Sequence, residues 1–318
     1  MHDVTKAAVI GSGFIGRAWA IVFARAGLDV SLWDTDYSVT QAAVSYIGDI
    51  VGDLAANDLL NEQSPETLTG RLQPVRELSA ALDGAGYIQE NTPEDIGIKR
   101  AILGEIDALA GPDAIIASST SALLPSQLSE TLAGRERFVV AHPINPPYLI
   151  PAVEIVPAQW TSKETLQKTA AFMKDCGQAP IVMERELDGF IMNRMQGALL
   201  EEAFRLVAEG YASVEDIDIG IREGLALRWS FMGPFETIDL NAPGGVADYV
   251  VRYQPIYENI FKQTTHRVDW AGDVLKTVEH DRRNLLAEKD LAGRQQWRDR
   301  RLMALAAHKR RSNKEFGK

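Results

Sequence analysis

Short apolar runs alternate with longer amphipathic stretches from residue 6 to about residue 182, the pattern of parallel strands joined by crossover helices. Residues 7–10, 30–33, 87–89, 115–117 and 138–141 are the clearest strands. The stretches between them are long enough for helices. After Asp188-Gly189 the pattern changes: residues 190–209 carry apolar side chains at helical spacing, and no convincing strand follows. The expectation is an α/β fold with a Rossmann-type, doubly wound, mainly parallel sheet over residues 1–187, followed by an all-helical domain over residues 188–318. The last helix, over residues 293–311, is expected to be amphipathic, with Trp297, Leu302 and Leu305 among arginines whose charges face water.

A chain of 318 residues is long enough for two domains. Its net charge of −11 argues against the basic surface that nucleic acid or an anionic membrane selects, although the stretch from Arg294 to Lys318 is locally basic. Cys176 is the single cysteine, which excludes an internal disulfide. No charged-then-apolar leader opens the chain, and no window reaches the roughly 18 continuous apolar residues of a membrane span. A soluble, cytoplasmic enzyme is expected, with no nucleic acid or membrane as partner.

Gly11-Ser12-Gly13-Phe14-Ile15-Gly16 follows the first strand directly and opens a helix-like stretch. A bare GxGxxG is a weak signal, and this context strengthens it. The first glycine permits a tight turn, the second lets backbone approach a pyrophosphate, and the third allows close packing of helix on strand. Free N–H groups at the helix start then face the phosphates. Asp34 ends the next strand, where a carboxylate accepts hydrogen bonds from an adenosine ribose and repels a 2′-phosphate. Neither Thr35 nor Asp36 supplies a cation, so NAD is favoured over NADP.

Polar residues also stand at the expected strand ends, where ligands of open α/β sheets bind. Ser121 follows the strand over 115–117, His142 follows the strand over 138–141, Glu154 lies in the apolar run over 152–156, and Asn193 stands near the start of the first helix of the second domain. Together they suit removal of a proton and a hydride from a secondary alcohol. An imidazole changes charge near neutral pH and is the natural general base. A carboxylate on its other nitrogen fixes the tautomer, while Ser121 and Asn193 can hold the substrate oxygen or the nicotinamide amide. Spacing leaves alternatives open: His142 as a packing residue before Pro143, Glu154 as the answer to a nearby arginine, Asn193 and Ser121 as local caps. No metal-ligand pattern is present.

The motifs GSGFIGR from Gly11, SSTS from Ser118, AHPINPPY from Ala141, GFIMNR from Gly189, GPFET from Gly233 and RQQWRD from Arg294 together resemble the 3-hydroxyacyl-CoA dehydrogenase superfamily, end to end, and within it the branch of L-gulonate 3-dehydrogenases, the lambda-crystallin group. The resemblance implies that Ser121, His142, Glu154 and Asn193 are the catalytic set. It implies that Glu90 and Lys99 lie near the cofactor, and that the protein is a homodimer built through its helical domain. Ser119 stands where the acyl-CoA enzymes tend to have Asn, so its cofactor contact is open.

The departure from those enzymes that bears on substrate is Arg228, in the run from Gly224 to Trp229. A guanidinium there can hold a free carboxylate through two parallel hydrogen bonds. A salt bridge to Glu223 or Glu236 is the alternative. The expected reaction is NAD-linked oxidation of a small 3-hydroxy acid, L-gulonate first. A short-chain 3-hydroxyacyl-CoA, carnitine held by an aromatic cage of Tyr148, Trp229 and Phe231, and an NAD-binding structural protein without turnover remain as alternatives.

Overall fold

The computed structural model describes residues 4–317. Eight strands form one sheet: β1 (Lys6–Ile10), β2 (Asp29–Trp33), β3 (Leu72–Pro74), β4 (Tyr87–Glu90), β5 (Ile115–Ser118), β6 (Phe138–Pro143), β7 (Ala152–Val156) and β8 (Ala179–Val182). Their spatial order is β3-β2-β1-β4-β5-β6-β7-β8. Strand order reverses between β1 and β4, so the carboxyl ends of these two strands border the crevice in which such sheets take ligands. Strands β1, β4, β5 and β6 are almost wholly buried, as a sheet covered on both faces requires. Two apolar cores result. One, on the face of Val139, Ala141 and Val153, centres on the helix Phe14–Arg25. The other, on the face of Phe138, Val140 and Val156, includes Leu103 and Ile106 of the helix Ile96–Leu109.

The helix Phe14–Arg25 is buried from Ala18 to Arg25, which explains why its sequence is apolar all round rather than striped. Trp19 stacks on Phe23 at 5.4 Å, Tyr87 stacks on Phe172 at 4.2 Å, and Phe23 joins the two pairs, 5.6 Å from Tyr87 and 5.7 Å from Phe172. This aromatic row ties the first helix to β4 and to the helix Lys163–Asp175.

One strand runs against the rest: β7 is antiparallel to β6 and parallel to β8. A parallel crossover takes about a dozen residues or more, and residues 144–151 are too few for one. The chain therefore turns back beside the strand it has just left. The resulting register sets His142 opposite Glu154. Both residues thus lie inside strands, whereas the sequence placed His142 after its strand.

The described chain divides into two compact units, residues 4–192 with 298–310 and residues 193–297 with 311–317. The first boundary falls a few residues beyond the expected 187. The terminal helix Leu291–Phe316 also departs from the expected domains, because its middle half, residues 298–310, belongs with the sheet. Met303 and Ala307 are buried there, Leu302 and Ala306 pack on the same core, and Arg310 donates to the Asp58 carbonyl at 2.7 Å and to Asn61 at 2.9 Å. The second unit is helical throughout, with a π-helical segment, Gly220–Leu225, running directly into the short helix Ala226–Trp229. Among the described residues, no helix is long and apolar enough to cross a membrane.

Candidate active site

At the end of β1 the chain makes a turn that only glycine fits at two positions. Gly11 has φ +86°, and a Cβ there would stand 2.8 Å from the backbone of Asn91. A Cβ on Gly16 would stand 1.9 Å from the Gly11 carbonyl oxygen. Gly13, by contrast, has open space where its Cβ would be. It caps a helix that has no side-chain cap, so the first N–H groups of Phe14, Ile15 and Gly16 remain for an anion. Phe14 is 69% exposed, and Arg17 lies over its ring at 4.4 Å.

Asp34, just past β2, accepts from the Ser12 N–H at 2.8 Å. That bond locks the carboxylate to the glycine turn, with Asp34 only partly buried. The open glycine, the uncapped helix start and the anchored acid fit a dinucleotide whose adenosine ribose lies at Asp34. The carboxylate also leaves no room, electrostatically, for a 2′-phosphate.

The chemical centre is a buried pair. His142 Nδ1 lies 2.7 Å from Glu154 Oε2, and the side chains are 7% and 0% exposed. The other oxygen, Oε1, accepts from the backbone N–H groups of Ile191 at 2.6 Å and Met192 at 2.8 Å. Those two groups open the helix Met192–Ala208, so Glu154 serves as anion at a helix N-terminus as well as partner of the imidazole. With the carboxylate filled by donors, we assign the proton on Nδ1 to this hydrogen bond, which leaves Nε2 as the acceptor. Phe190 is fully buried, and its ring centroid lies 5.5 Å from the His142 ring. The side chain is thus wedged against apolar surface on one side and held by a charge on the other.

Ser121 lies in the loop past the end of β5, the strand beside β6, and so at the same edge of the sheet as His142. Its main-chain N–H donates to Glu94 Oε1 at 2.8 Å. Asn193 directly follows Met192, in the first turn of the helix that Glu154 caps. Register and chain continuity bring His142, Glu154 and the start of this helix together.

Three expected cofactor residues have other work. Glu90 and Lys99 are 0% and 1% exposed, and Lys99 Nζ donates to the Glu90 carboxylate at 2.9 and 3.1 Å and to the Thr92 carbonyl at 3.0 Å. Glu90 also accepts from Thr92 and from the Ser118 hydroxyl. The two side chains form a buried ion pair that joins the end of β4 to the helix Ile96–Leu109. Ser119 Oγ is saturated too: it accepts from Trp19 Nε1 at 3.0 Å and Gln89 Nε2 at 2.8 Å and donates to Asn91 at 2.7 Å. One donor and two acceptor sites are all a hydroxyl has, so Ser119 knits the first helix to β4 and β5.

Tyr148 leaves the proposed aromatic cage. It is 4% exposed, its hydroxyl faces Tyr46 at 3.5 Å, and burial pushes its phenol well above the ordinary range. Its carbonyl accepts from Arg25 at 2.9 Å; burial brings that guanidinium down to about 10. In the second unit, Arg222 takes Glu215 at 3.3 Å and Glu223 at 2.7 Å. Arg228 is exposed and has no ion pair among the described residues. The salt bridges that stood as the alternative for it are therefore not made.

Sequence reasoning missed Glu94 and the hub of Trp19, Gln89 and Asn91 around Ser119. The one available signal was the polar run Asn91-Thr92-Pro93-Glu94-Asp95, which separates β4 from its helix and contains more carboxylates than a cap needs.

A dinucleotide fold whose sheet also carries a buried histidine–carboxylate pair defines an NAD-dependent oxidoreductase acting on a CH–OH group. The chain belongs to the 3-hydroxyacyl-CoA dehydrogenase family: the family's NAD binding domain matches residues 6–187 and its C-terminal domain residues 189–282. It is 39% identical over 303 residues to the lambda-crystallin homolog of Bos taurus, with 94% of each chain covered. It is 37% identical over 255 residues to L-carnitine dehydrogenase of Streptomyces coelicolor, covering 80% of this chain and 79% of that one. Among solved structures, a 5-formyl-3-hydroxy-2-methylpyridine 4-carboxylic acid 5-dehydrogenase, described as an NAD+-dependent dismutase, superposes with a TM-score of 0.82 at 27% identity, covering 95% of this chain and 97% of that one.

Proposed function

We propose that the chain oxidises the 3-hydroxyl of a small, free 3-hydroxy acid to the 3-oxo acid, with L-gulonate as the best candidate substrate. The observation that carries the reading is the buried His142–Glu154 pair with Nε2 left as acceptor. His142 takes the hydroxyl proton at Nε2, and Glu154 stabilises the imidazolium that forms. NAD, when bound, supplies the acceptor for the hydride that leaves the same carbon. Ser121 and Asn193 hold the substrate oxygen so that hydroxyl and imidazole meet in line.

A free carboxylate is favoured over a thioester by Arg228, whose guanidinium is exposed and unclaimed by any acid of the described chain. Carnitine and the pyridine 4-carboxylic acid, named for two of the relatives, also carry free carboxylates. Carnitine stands as the second reading, with Trp229 and the 71%-exposed Phe231 near Arg228 in sequence as the remaining aromatic candidates. The intact His142–Glu154 pair speaks against a structural role without turnover.

The test is NADH formation with L-gulonate, L-carnitine and 3-hydroxybutyryl-CoA as separate substrates. Turnover of free acids is expected; turnover of the thioester alone would sink the proposal. Arg228→Ala is expected to raise KM for the acid at least about tenfold, the worth of a lost charged hydrogen bond, with NAD affinity unchanged. An unaltered KM removes Arg228 from the site.

The reading includes a homodimer through the helical unit. Its helix Gly245–Gln263 leaves Val251 at 78% and Phe261 at 64% exposed, and Phe235 and Leu240 are 79% and 68% exposed. Apolar side chains in such number on one unit are the mark of a surface covered by a partner. Sedimentation is expected to give about twice the chain mass of 35.0 kDa, and Val251→Asp to lower it towards one chain. A monomeric wild type rejects the dimer. The one thiol, Cys176, is buried and pushed up to about 12 by desolvation, an inert group suited to a reducing cytoplasm.

A further inference from the structure

The loop that carries Ser121 has no regular secondary structure, yet a single carboxylate oxygen organises it. Glu94 Oε1 accepts from Thr120 Oγ1 at 2.6 Å, from the Ser121 N–H at 2.8 Å and from the Ala122 N–H at 3.0 Å. Thr120 Oγ1 in turn accepts from the Leu123 N–H at 3.0 Å. Three consecutive main-chain N–H groups, from Ser121 to Leu123, are therefore gathered on Glu94 or on the hydroxyl that Glu94 holds.

The carboxylate stands on a rigid base. Asp95, the next residue, caps the helix Ile96–Leu109 by accepting from Gly97 and Ile98 at 2.8 and 2.9 Å. On the other side Thr92 is fixed by Glu90 and by Lys99. The second oxygen of Glu94 lies 3.7 Å from Lys99 Nζ, and the side chain is 42% exposed. A tie made only to close the surface loop needs one hydrogen bond. Here three donors converge on one charged oxygen, and two of them flank the Cα of the serine that the reaction uses.

We propose that Glu94 is a positioning residue, which sets the direction of the Ser121 side chain by fixing the peptides on both sides of it. This rests on the assignment of Ser121 to the substrate oxygen. The orientation of a hydroxyl that holds a reacting oxygen is worth much: a displacement of about 1 Å costs roughly a hundredfold. Gln keeps an acceptor oxygen for the three donors and loses only the charge facing Lys99; Ala removes the tether.

The experiment is a cycle of Glu94→Ala, Ser121→Ala and the double variant, with Glu94→Gln beside it. It is assayed with whichever of L-gulonate, L-carnitine or 3-hydroxybutyryl-CoA the wild type turns over fastest. Glu94→Ala is expected to lower kcat about 10- to 100-fold in the wild-type background and by less than about threefold when Ser121 is already Ala. Glu94→Gln is expected to stay within a few-fold of wild type. Hydrogen exchange of the peptide over residues 119–124 is read in the same proteins. Protection lost in Glu94→Ala and kept in Glu94→Gln shows the tether directly, whatever the substrate.

Losses that multiply in the double variant, or unchanged exchange in Glu94→Ala, overturn the proposal while leaving Ser121 at the substrate. Full turnover by Ser121→Ala overturns both the assignment of Ser121 and the proposal built on it.

Discussion

His142→Asn is expected to lower kcat by about a hundred- to ten-thousand-fold, the range general-base removal covers, with NAD affinity nearly unchanged. Asn can still donate to Glu154 and occupies part of the same space, so the helix start at Ile191 and Met192 keeps its carboxylate partner. What it lacks is the basic Nε2. Two structural facts make the effect large. The imidazole is almost enclosed, at 7% side-chain exposure, so bulk water is a poor substitute for the missing base. The Nδ1 partner is a wholly buried carboxylate at 2.7 Å, which holds the ring in the tautomer that leaves Nε2 as acceptor. NADH formation at saturating NAD measures kcat, and fluorescence titration with NAD measures binding. Persistent turnover would move the proton to another acceptor.

Glu154→Gln separates the two jobs of the carboxylate. The amide oxygen can still accept from Ile191 and Met192, but no negative charge remains to balance an imidazolium. A loss of kcat with a small change in Tm is expected, since breaking the pair without vacating the helix start alters catalysis more than folding. An equal loss in Tm would make the residue chiefly a cap.

The strands most easily read in the sequence are those whose side chains are buried on both faces. Residues 7–10 and 138–141 stand out because nothing polar interrupts them, and β1 and β6 are found there. The edge strands were not legible: β3 is three residues ending in Pro74, and β8 carries Pro180 in a run of only partial burial. Proline and exposure erase the apolar signal, and both strands lie at the rims of the sheet, where proline is tolerated. Strand direction was not legible from composition at all. Only the shortness of the link over 144–151 separates an antiparallel β7 from a parallel one, and that link is what turns Glu154 from a strand-end acid into the residue opposite His142.

The site divides in the same way. The glycine turn and Asp34 are local, one helix and one strand apart, and the sequence carries them whole. Glu90 and Lys99 were placed near the cofactor on resemblance and the contact of Ser119 was left open, while the bonds these three make to neighbours from other elements were not foreseen. No local pattern announces such partners, because hydrogen bonds between β4, β5 and the first helix depend on the packing of the sheet. Glu94 escaped for the same reason: 26 residues separate it from Thr120. The terminal helix was legible as a helix, but the pattern of Leu302, Met303, Ala306 and Ala307 gives its buried face without saying which unit that face covers.

Lys99→Met is expected to cost about 3–5 kcal/mol of stability, the range for removing one member of a buried ion pair. The unpaired group would be Glu90, which has no exposed surface and would keep only Thr92 and Ser118 as donors. A carboxylate in that position either remains charged without its cation or takes up a proton, and each course costs free energy. Tm should fall by roughly 6–20 °C on the scale for a unit of this size. Glu90→Gln combined with Lys99→Met should recover much of the loss, because a neutral amide can still accept from Thr92 and Ser118 and no buried charge is stranded. The pair of measurements also separates a structural role of these residues from a direct role at the cofactor. A side chain that serves the cofactor directly would lower NAD affinity in Lys99→Met and leave Tm in place, whereas a buried strut lowers Tm and is rescued by the second substitution, with NAD affinity of the rescued protein close to that of the wild type.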